Sequence, residues 1–255
     1  MKKMLKVLLI FVILISNFGC DSKKNKRILY SWHMKTINDT DLIRVIKELN
    51  IDTLYQDFST DYLSSTNNIF IKQMNSYNVK VYHLAGDPSW GIKGKDKIKE
   101  EINKVIKYNR KNKYKIDGIV LDIESYILDS FDGKDYLKIL KESYKYAKKN
   151  EIYVVLCIPT WFDKYGKSYL KDLIINTNDE VSFMNYNIKN TIKDINGEMK
   201  FIKKYGKKAN TIYEVDFNNK NYFSSYDEIN NDYKKVIKYY RYPISLAFHH
   251  YDSIK

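Results

Sequence analysis

The stretch 117-DGIVLDIE-124 joins a strand-forming run to polar residues at its carboxyl end. Its middle residues are apolar and partly β-branched, and such residues favour a buried strand. Asp122 and Glu124 close the run, although a strand core gains no stability from two carboxylates. A run of this kind is typical of a parallel strand that carries functional groups at its carboxyl end.

Seven further apolar runs of the same character recur along the chain, each bounded by polar residues. They are short and rich in Val, Ile, Tyr and Phe, which favours strands. With the first stretch they predict eight strands, in residues 27–34, 51–58, 79–86, 116–124, 152–162, 180–188, 210–217 and 243–251.

Segments with helical spacing lie between these runs. Apolar residues recur every three or four positions in residues 40–50, 95–113, 134–150 and 226–240, and Thr40 is the predicted amino-terminal cap of the first segment. The repeated alternation of strand and helix predicts an α/β fold of the (β/α)8 barrel (TIM barrel) type. Because the sequence ends just after the eighth run, we expect the last helix to be reduced or missing. A doubly wound sheet is the competing architecture, but it needs fewer strands or a second domain, and no linker is evident.

Residues 1–19 have the composition of a secretory signal peptide. A lysine-rich start precedes an apolar run that is too short for a spanning helix, which needs about 20 apolar residues. Gly19 and Cys20 resemble the lipobox of bacterial lipoproteins, in which the cysteine is lipidated. The sequence thus predicts a signal peptide over 1–19, a polar tether over 20–27 and a single barrel domain over 28–255, anchored through Cys20 at the extracellular face of the bacterial cell membrane. An uncleaved anchor is the alternative.

The net charge of +13 raises the question of nucleic-acid binding. The lysines, however, are spread over most helical segments, and the sequence has no arginine-rich stripe or recognition motif. We therefore expect no nucleic-acid partner and interpret the charge as attraction to anionic wall polymers and lipid headgroups. Only Cys157 remains after Cys20, so the barrel, which we expect to be a monomer, has no internal disulfide.

Polar or aromatic residues stand where the predicted strands end, and in a (β/α)8 barrel those ends form the active site. They are Trp32, His33, Gln56, Asp57, His83, Asp87, Asp122, Glu124, Thr160, Trp161, Tyr186, Asn187, Glu214, Asp216 and His249 to Asp252. Residues two apart on a strand point to the same face, which places the carboxylates of Asp122 and Glu124 side by side. Adjacent carboxylates repel each other, so we expect the pKa of one to rise and the pair to retain a proton near neutral pH.

The stretch 117–124 resembles the strand-four signature DGxDxDxE of glycoside hydrolase family 18, which comprises chitinases and endo-β-N-acetylglucosaminidases. The matching positions are Asp117, Gly118, Asp122 and Glu124. Val120 stands where the family usually has its middle aspartate. The stretch 184-MNYN-187 is similar to the family's M-x-Y-D, with Asn187 in place of the aspartate. The tryptophan that usually closes strand eight is missing from 248-FHHYD-252.

The resemblance implies a substrate-assisted retaining glycosidase acting on an N-acetylhexosamine-containing glycan, with no metal or organic cofactor. Glu124 would protonate the glycosidic oxygen and later activate water, while Asp122 would hold the acetamido nitrogen. Tyr186 would donate to the acetamido oxygen. An apolar Val120 would raise the pKa of Asp122. The residues expected to contact the glycan are Trp32, Asp57, Asp87, Trp90, Trp161, Met184, Asn187, Glu214, Asp216 and Tyr251, with the tryptophans as stacking platforms.

Three other interpretations are open. Glu214 and Asp216 also lie two apart on one strand, and with Glu124 they would form a conventional two-carboxylate glycosidase, similar to the endo-α-1,4-polygalactosaminidases. A lipid-anchored barrel with an altered signature would alternatively bind surface glycan without cleaving it. The adjacent histidines 249–250, with Asp252 and a further histidine, would supply a metal site, although adjacent side chains point to opposite faces of a strand.

Overall fold

Eight parallel strands form a closed barrel in this protein, in a computed structural model that describes residues 25–58, 64–186, 190–215 and 222–254. Each strand pairs with the next along the chain, and the first pairs with the last. The strands are β1 (Arg27–Ser31), β2 (Thr53–Gln56), β3 (Lys80–Ala85), β4 (Gly118–Leu121), β5 (Val154–Pro159), β6 (Glu180–Met184), β7 (Lys208–Glu214) and β8 (Ser245–His249). The barrel predicted from the eight apolar runs is therefore confirmed.

Nine α-helices lie between the strands in the described part of the chain. They are α1 (Asp41–Glu48), α2 (Ser65–Ser76), α3 (Trp90–Lys93), α4 (Lys95–Lys111), α5 (Gly133–Lys149), α6 (Lys167–Asn176), α7 (Thr191–Asp194), α8 (Asn196–Tyr205) and α9 (Tyr226–Tyr240). All four predicted helical segments are found, as α1, α4, α5 and α9. After β8, the described residues contain one 3-10 turn, Tyr251–Ser253, as expected for a reduced last helix. None of the helices described is long and apolar enough to cross a membrane.

The predicted capping role of Thr40 is wrong. Thr40 does precede α1, but its side chain accepts no hydrogen bond from the helix. Its backbone is already helical, with φ −68° and ψ −25°, whereas a capping side chain needs an extended backbone to reach the free N–H groups. Asp39 takes over part of this role, because its Oδ1 accepts from the N–H of Asp41 at 2.9 Å.

Alternate residues of each strand face either the barrel interior or the surrounding helices, and both faces are buried. In β4, Ile119 and Leu121 pack with the helices, whereas Val120 belongs to a second apolar cluster inside the barrel. Cys157 lies in this interior cluster as a buried free thiol. Because β4 continues directly into Asp122, this alternation places the Asp122 side chain above Val120, at the carboxyl end of the interior.

A column of polar side chains crosses the interior among these apolar residues. The Tyr30 hydroxyl lies 2.7 Å from Ser182 Oγ, and Ser182 in turn donates to Asn210 Oδ1. Asn210 donates to Glu180 at 3.0 Å, and the other Glu180 oxygen accepts from Lys26 at 2.7 Å. The column leads from beneath the carboxyl end of the barrel to its amino-terminal end, where a cavity of about 460 Å³ opens beside Lys26.

Candidate active site

The backbone that carries Asp122 and Glu124 is fixed from two sides. The N–H of Asp122 donates to the carbonyl of Ala85 at the end of β3, at 3.0 Å. The hydroxyl of Tyr136, a fully buried residue of α5, donates to the carbonyl of Ile123 at 3.0 Å. The segment between the two carboxylates is therefore held by a strand on one side and a helix on the other.

The backbone after β3 lies so close to the backbone of Asp122 that position 86 requires a glycine. A methyl group added to Gly86 would overlap the carbonyl oxygen of Asp122. Neither of the two backbones can move away without losing the hydrogen bond between Ala85 and Asp122. The glycine of the sequence 84-LAGD-87 thus allows β3 and β4 to place Asp122 at the mouth of the barrel.

Asp122 carries the upward pKa shift that we predicted for one member of the pair. Burial first, and then the negative charge of Glu124, raises the pKa of Asp122 to about 7, although the charge of His249 acts in the opposite direction. Val120 lies fully buried beneath it and offers no polar group. Oδ1 of Asp122 is buried and has no hydrogen-bond partner among the described residues. Asp122 therefore binds a proton near neutral pH.

Glu124 has a partner that the sequence analysis did not include. The hydroxyl of Tyr126 donates to Glu124 Oε2 at 2.7 Å. Burial, followed by this hydrogen bond, raises the pKa of Tyr126 far above its usual range, so the hydroxyl remains a donor. The ring of Tyr126 packs edge-on against Trp161, with the centroids 5.0 Å apart. This packing orients the hydroxyl towards the carboxylate.

A carboxylate–imidazole pair lies at the ends of β7 and β8. Glu214 and His249 are register partners across the two strands, and Nδ1 of His249 lies 2.7 Å from Oε2 of Glu214. The imidazole is also 5.6 Å from the ring of Tyr186 and 5.8 Å from that of Tyr30, measured between centroids. Tyr186 is exposed at the mouth. The structure thus brings Glu214 and Tyr186 together around His249.

The three tryptophans occupy different surroundings. Trp32 is half-buried on top of the interior cluster, and Trp90 packs against the outer core at the start of α3. Trp161 stands beside Tyr126, but the ammonium of Lys164 lies 3.5 Å from the centroid of its ring. A sugar that stacked on this face of Trp161 would first have to displace Lys164. A stacking role for each tryptophan stays a prediction.

The other predicted contacts have local partners. Asp87 is exposed, and its carboxylate accepts from the N–H and the hydroxyl of Ser89, so it shapes the turn before α3. Asp57 follows β2 and is partly exposed. Met184 is almost fully buried in the interior cluster, with Sδ 4.0 Å from the Tyr126 hydroxyl, and it forms part of the floor below Glu124.

The prediction for Tyr251 is wrong. Its side chain is fully buried in the outer core, so it offers no surface to a glycan. His83, one of the polar strand ends, points away from the mouth, because it is buried and its Nε2 lies 3.1 Å from Glu101 in α4. The predicted residues Cys20, Asn187 and Asp216 lie outside the described residues.

Tyr126 and His249 are the two residues whose place in the site the sequence analysis missed. Tyr126 follows Glu124 by two positions, so the spacing alone could have suggested it. His249 was noted as a polar strand end and as a candidate metal ligand, but not as a partner of Glu214, because that pairing depends on the register of β7 against β8. Within the described ranges, no group of three His, Cys, Asp or Glu side chains is arranged to hold a metal ion.

No protein-family model matches the sequence, and no curated protein matches it. Solved structures do match in fold. A GH18 chitinase from Pseudoalteromonas aurantia superposes with a TM-score of 0.63 at 14% identity, over 89% of this chain and 94% of the chitinase. The spore cortex-lytic enzyme SleL from Bacillus megaterium QM B1551 has a TM-score of 0.60 at 11% identity, over 89% of this chain and 70% of SleL. Ega3 from Aspergillus fumigatus, in complex with galactosamine, superposes with a TM-score of 0.56 at 12% identity, over 90% of this chain and 92% of Ega3. At these identities the likeness is one of fold.

Proposed function

We infer that this protein is a glycoside hydrolase that cleaves an N-acetylhexosamine-containing glycan, with retention of configuration, by a substrate-assisted mechanism. One observation carries the proposal. Asp122 is a carboxyl group with a pKa of about 7 and a buried, unpartnered oxygen, and it stands two residues from Glu124 at the carboxyl end of β4. This is the end of a (β/α)8 barrel at which active sites form.

The unpartnered Oδ1 of Asp122 suits an amide N–H. A buried acceptor without a donor costs free energy, and the acetamido N–H of a bound sugar would remove this cost. The hydrogen bond would also stabilise the ionised form of Asp122. The proton that the pair retains near neutral pH would then be available to Glu124, which is the member that must protonate the leaving oxygen.

The bond-breaking step then needs only groups of the substrate and of this site. Glu124 donates its proton to the glycosidic oxygen as the bond to the anomeric carbon breaks, and the acetamido oxygen forms a bond to that carbon. The Tyr186 hydroxyl donates a hydrogen bond to the acetamido oxygen and so orients it for attack on the anomeric carbon. In the second half, Glu124 removes a proton from water, which attacks the anomeric carbon and opens the cyclic intermediate.

The Tyr126 hydroxyl supports this assignment of roles. Its hydrogen bond holds one oxygen of Glu124 in place, which leaves the other oxygen for the substrate. Positioning of a proton donor contributes to catalysis because proton transfer needs the heavy atoms within about 2.6–3.2 Å of each other. Tyr126 is therefore proposed as a positioning residue for Glu124.

A conventional two-carboxylate mechanism is the second candidate, and it is favoured by the position of Glu214 at the same mouth. In the described residues, however, Glu214 is engaged by His249 at 2.7 Å, so a role as nucleophile would require that pair to separate. The likeness to Ega3, whose structure contains galactosamine, also keeps substrates without an acetyl group under consideration.

A panel of fluorogenic glycosides tests the proposal. The full chain in detergent is compared with Glu124→Gln and with Glu151→Gln, an exposed carboxylate variant that serves as the matched control. We expect release from β-N-acetylglucosaminides and chitin-like oligomers, inhibition by thiazoline compounds, and a loss of about 10²–10⁴-fold in kcat only for Glu124→Gln. Peptidoglycan fragments and N-glycans complete the panel.

Two results would overturn the proposal in different ways. Equal cleavage of glucosides or of non-acetylated galactosaminides would favour the two-carboxylate mechanism, because neither sugar supplies an acetamido group. No release from any acetamido sugar, with glycan binding unchanged in Glu124→Gln, would identify a binding protein built on this barrel.

We also propose that Cys20 anchors the barrel at the outer face of the cell membrane. The support is the sequence motif alone, with a basic chain that would be attracted to an anionic surface. In a bacterial host that lipidates its secreted lipoproteins, Cys20→Ala should release the protein from the membrane fraction into the medium and prevent incorporation of labelled fatty acid. Retention of the variant with the membrane would instead indicate an uncleaved anchor.

A further inference from the structure

His249 occupies a position in the mouth that is set by two strands. Ala247 of β8 and Ile212 of β7 belong to the interior cluster, so His249 and Glu214, each two residues further on, extend from the same face towards the mouth. The backbone beyond them stays in register, because the N–H of Val215 donates to the carbonyl of His249 at 2.8 Å. The side chains of His249 and Glu214 are only 20% and 17% exposed, respectively.

The pairing with Glu214 determines which ring nitrogen of His249 is free. Nδ1 lies 2.7 Å from the Glu214 carboxylate and so carries a proton directed at it, which leaves Nε2 for a second proton and a second partner. When Nε2 is also protonated, the imidazolium is a cation held at the mouth by a carboxylate that is itself only 17% exposed. Partial burial makes the field of such a charge stronger than it would be in water.

The titratable groups around His249 come from several elements. Glu214 approaches from β7, Tyr30 from β1, Tyr186 from the segment after β6, and His250 follows in the chain with its ring centroid 5.0 Å away. Asp122 follows the end of β4 at the same mouth, where a positive charge on His249 lowers its pKa. Of these groups, Asp122 is the one that the proposed reaction requires in its ionised form.

We propose that Glu214 and His249 form a positioning pair whose imidazolium stabilises the ionised state of Asp122, the state in which Asp122 accepts the substrate N–H. Glu214 holds the imidazole through Nδ1, and His249 presents the rest of its ring to the mouth. The pair thereby offsets the burial above Val120 and the repulsion from Glu124. The catalytic consequence rests on the proposed glycosidase function, whereas the electrostatic coupling between His249 and Asp122 does not.

Direct titration of Asp122 tests the coupling without any substrate. The full chain is labelled with carbon-13 at the aspartate side-chain carboxyls, and the Asp122 resonance is identified by its absence in Asp122→Asn. We expect the titration midpoint of Asp122 to rise in His249→Gln by at least about 0.5 pH unit, because the opposite charge is lost. Glu214→Gln should raise the midpoint by a smaller amount, since the imidazole remains but loses its anionic partner.

Two further variants complete the test. His249→Lys restores a positive charge and should return the midpoint towards that of the unmodified protein, which a purely structural role would not produce. His33→Gln is the matched control, because His33 is half-exposed, faces Asp252 and should leave the midpoint unchanged. If His249→Gln does not fold, Glu214→Gln and His249→Lys still decide the question.

An unchanged Asp122 midpoint in folded His249→Gln or Glu214→Gln would overturn the inference. If the midpoint shifts as expected and glycosides are hydrolysed, the pH optimum of kcat/KM should move upward with it in His249→Gln. If it shifts and no glycoside is hydrolysed by any form, the coupling stands and the proposed function fails. If glycosides are hydrolysed but the Asp122 midpoint does not shift, the proposed function stands and the coupling fails.

Discussion

The hydroxyl of Tyr126 donates a 2.7 Å hydrogen bond to Glu124, two residues away in the chain and beyond the end of β4. The donor is fixed by its own ring, which packs on Trp161 and Phe162 at 5.0 and 5.5 Å. The position of the proposed acid is therefore set by aromatic packing at the end of β5.

Tyr126→Phe should keep this packing and remove only the hydrogen bond. We expect kcat on an N-acetylglucosaminide to fall by about 10-fold, since the carboxylate would sample more orientations. The free energy of unfolding should change by no more than about 1 kcal/mol. Tyr239→Phe, at an exposed tyrosine of α9, is the matched control. A wild-type kcat in Tyr126→Phe would show that Glu124 needs no orienting group.

Asp122→Asn should stabilise the protein while it abolishes activity. The folded-state pKa of about 7 lies above the ordinary value of 3.8, so the folded protein holds a proton that the unfolded chain releases. Asp122 therefore lowers stability progressively as the pH rises from about 4 to about 7, and the loss then stays constant. At pH 8 the asparagine variant should be more stable by up to about 4 kcal/mol.

Urea denaturation at pH 4 and at pH 8 measures this difference. The advantage of Asp122→Asn should be present in full at pH 8 and reduced to about 0.5 kcal/mol at pH 4, where the folded aspartate is protonated and the unfolded one is about half ionised. Equal stability of the two proteins at pH 8 would mean that Asp122 is solvated in the folded protein.

Glu198→Gln should also raise the free energy of unfolding, at a position away from the proposed active site. Glu198 is fully buried in α8, and Oε2 has no hydrogen-bond partner in the described part of the chain. Burial raises its pKa to about 7 from an ordinary value of 4.5. Above pH 7 we expect Glu198→Gln to raise the free energy of unfolding by about 1–2 kcal/mol, with activity retained. The same substitution at exposed Glu151 should have no measurable effect on denaturation, and a destabilised Glu198→Gln would contradict the burial argument.

Gly86→Ala should disturb the site directly. The added methyl group would overlap the carbonyl oxygen of Asp122, so β3 and β4 would have to separate. We expect a loss of about 1–3 kcal/mol in the free energy of unfolding and a loss of activity even where the variant is folded. Gly133→Ala is the matched control, because its nearest atom would be Tyr169 Cε2 at an ordinary 3.5 Å. Normal activity in Gly86→Ala would show that the close approach is not needed.

The barrel could be predicted from the sequence because its strands are buried on both faces and appear as continuous apolar runs. The helices were predicted less completely. The prediction included α4 and α5, which repeat apolar residues over 17 positions, but not α2, α6 and α8. In α2, the sequence STNNIFIKQMNS contains many weak helix formers, and the helix begins with a cap in which Ser64 accepts from the N–H of Asn67.

The candidate site was predictable to the extent that it depends on chain position alone. Asp122 and Glu124 follow directly from the end of β4, and the predicted rise in pKa is found at Asp122. Tyr251 shows where this reasoning fails, since the chain turns after β8 and carries the side chain into the outer core. The pairing of His249 with Glu214 required the strand register, which a single sequence does not contain.

The hydrogen bond from Tyr136 to Ile123 makes the proposed site dependent on a helix as well as on the strands. A chain in which the eight strands have paired but α5 has not yet docked would lack the contact that holds the segment between the two carboxylates. Activity should therefore appear during refolding later than the secondary structure, at the step in which α5 docks against the segment that follows β4. Destabilised forms that release α5 would be the first to lose function while still retaining most of their fold.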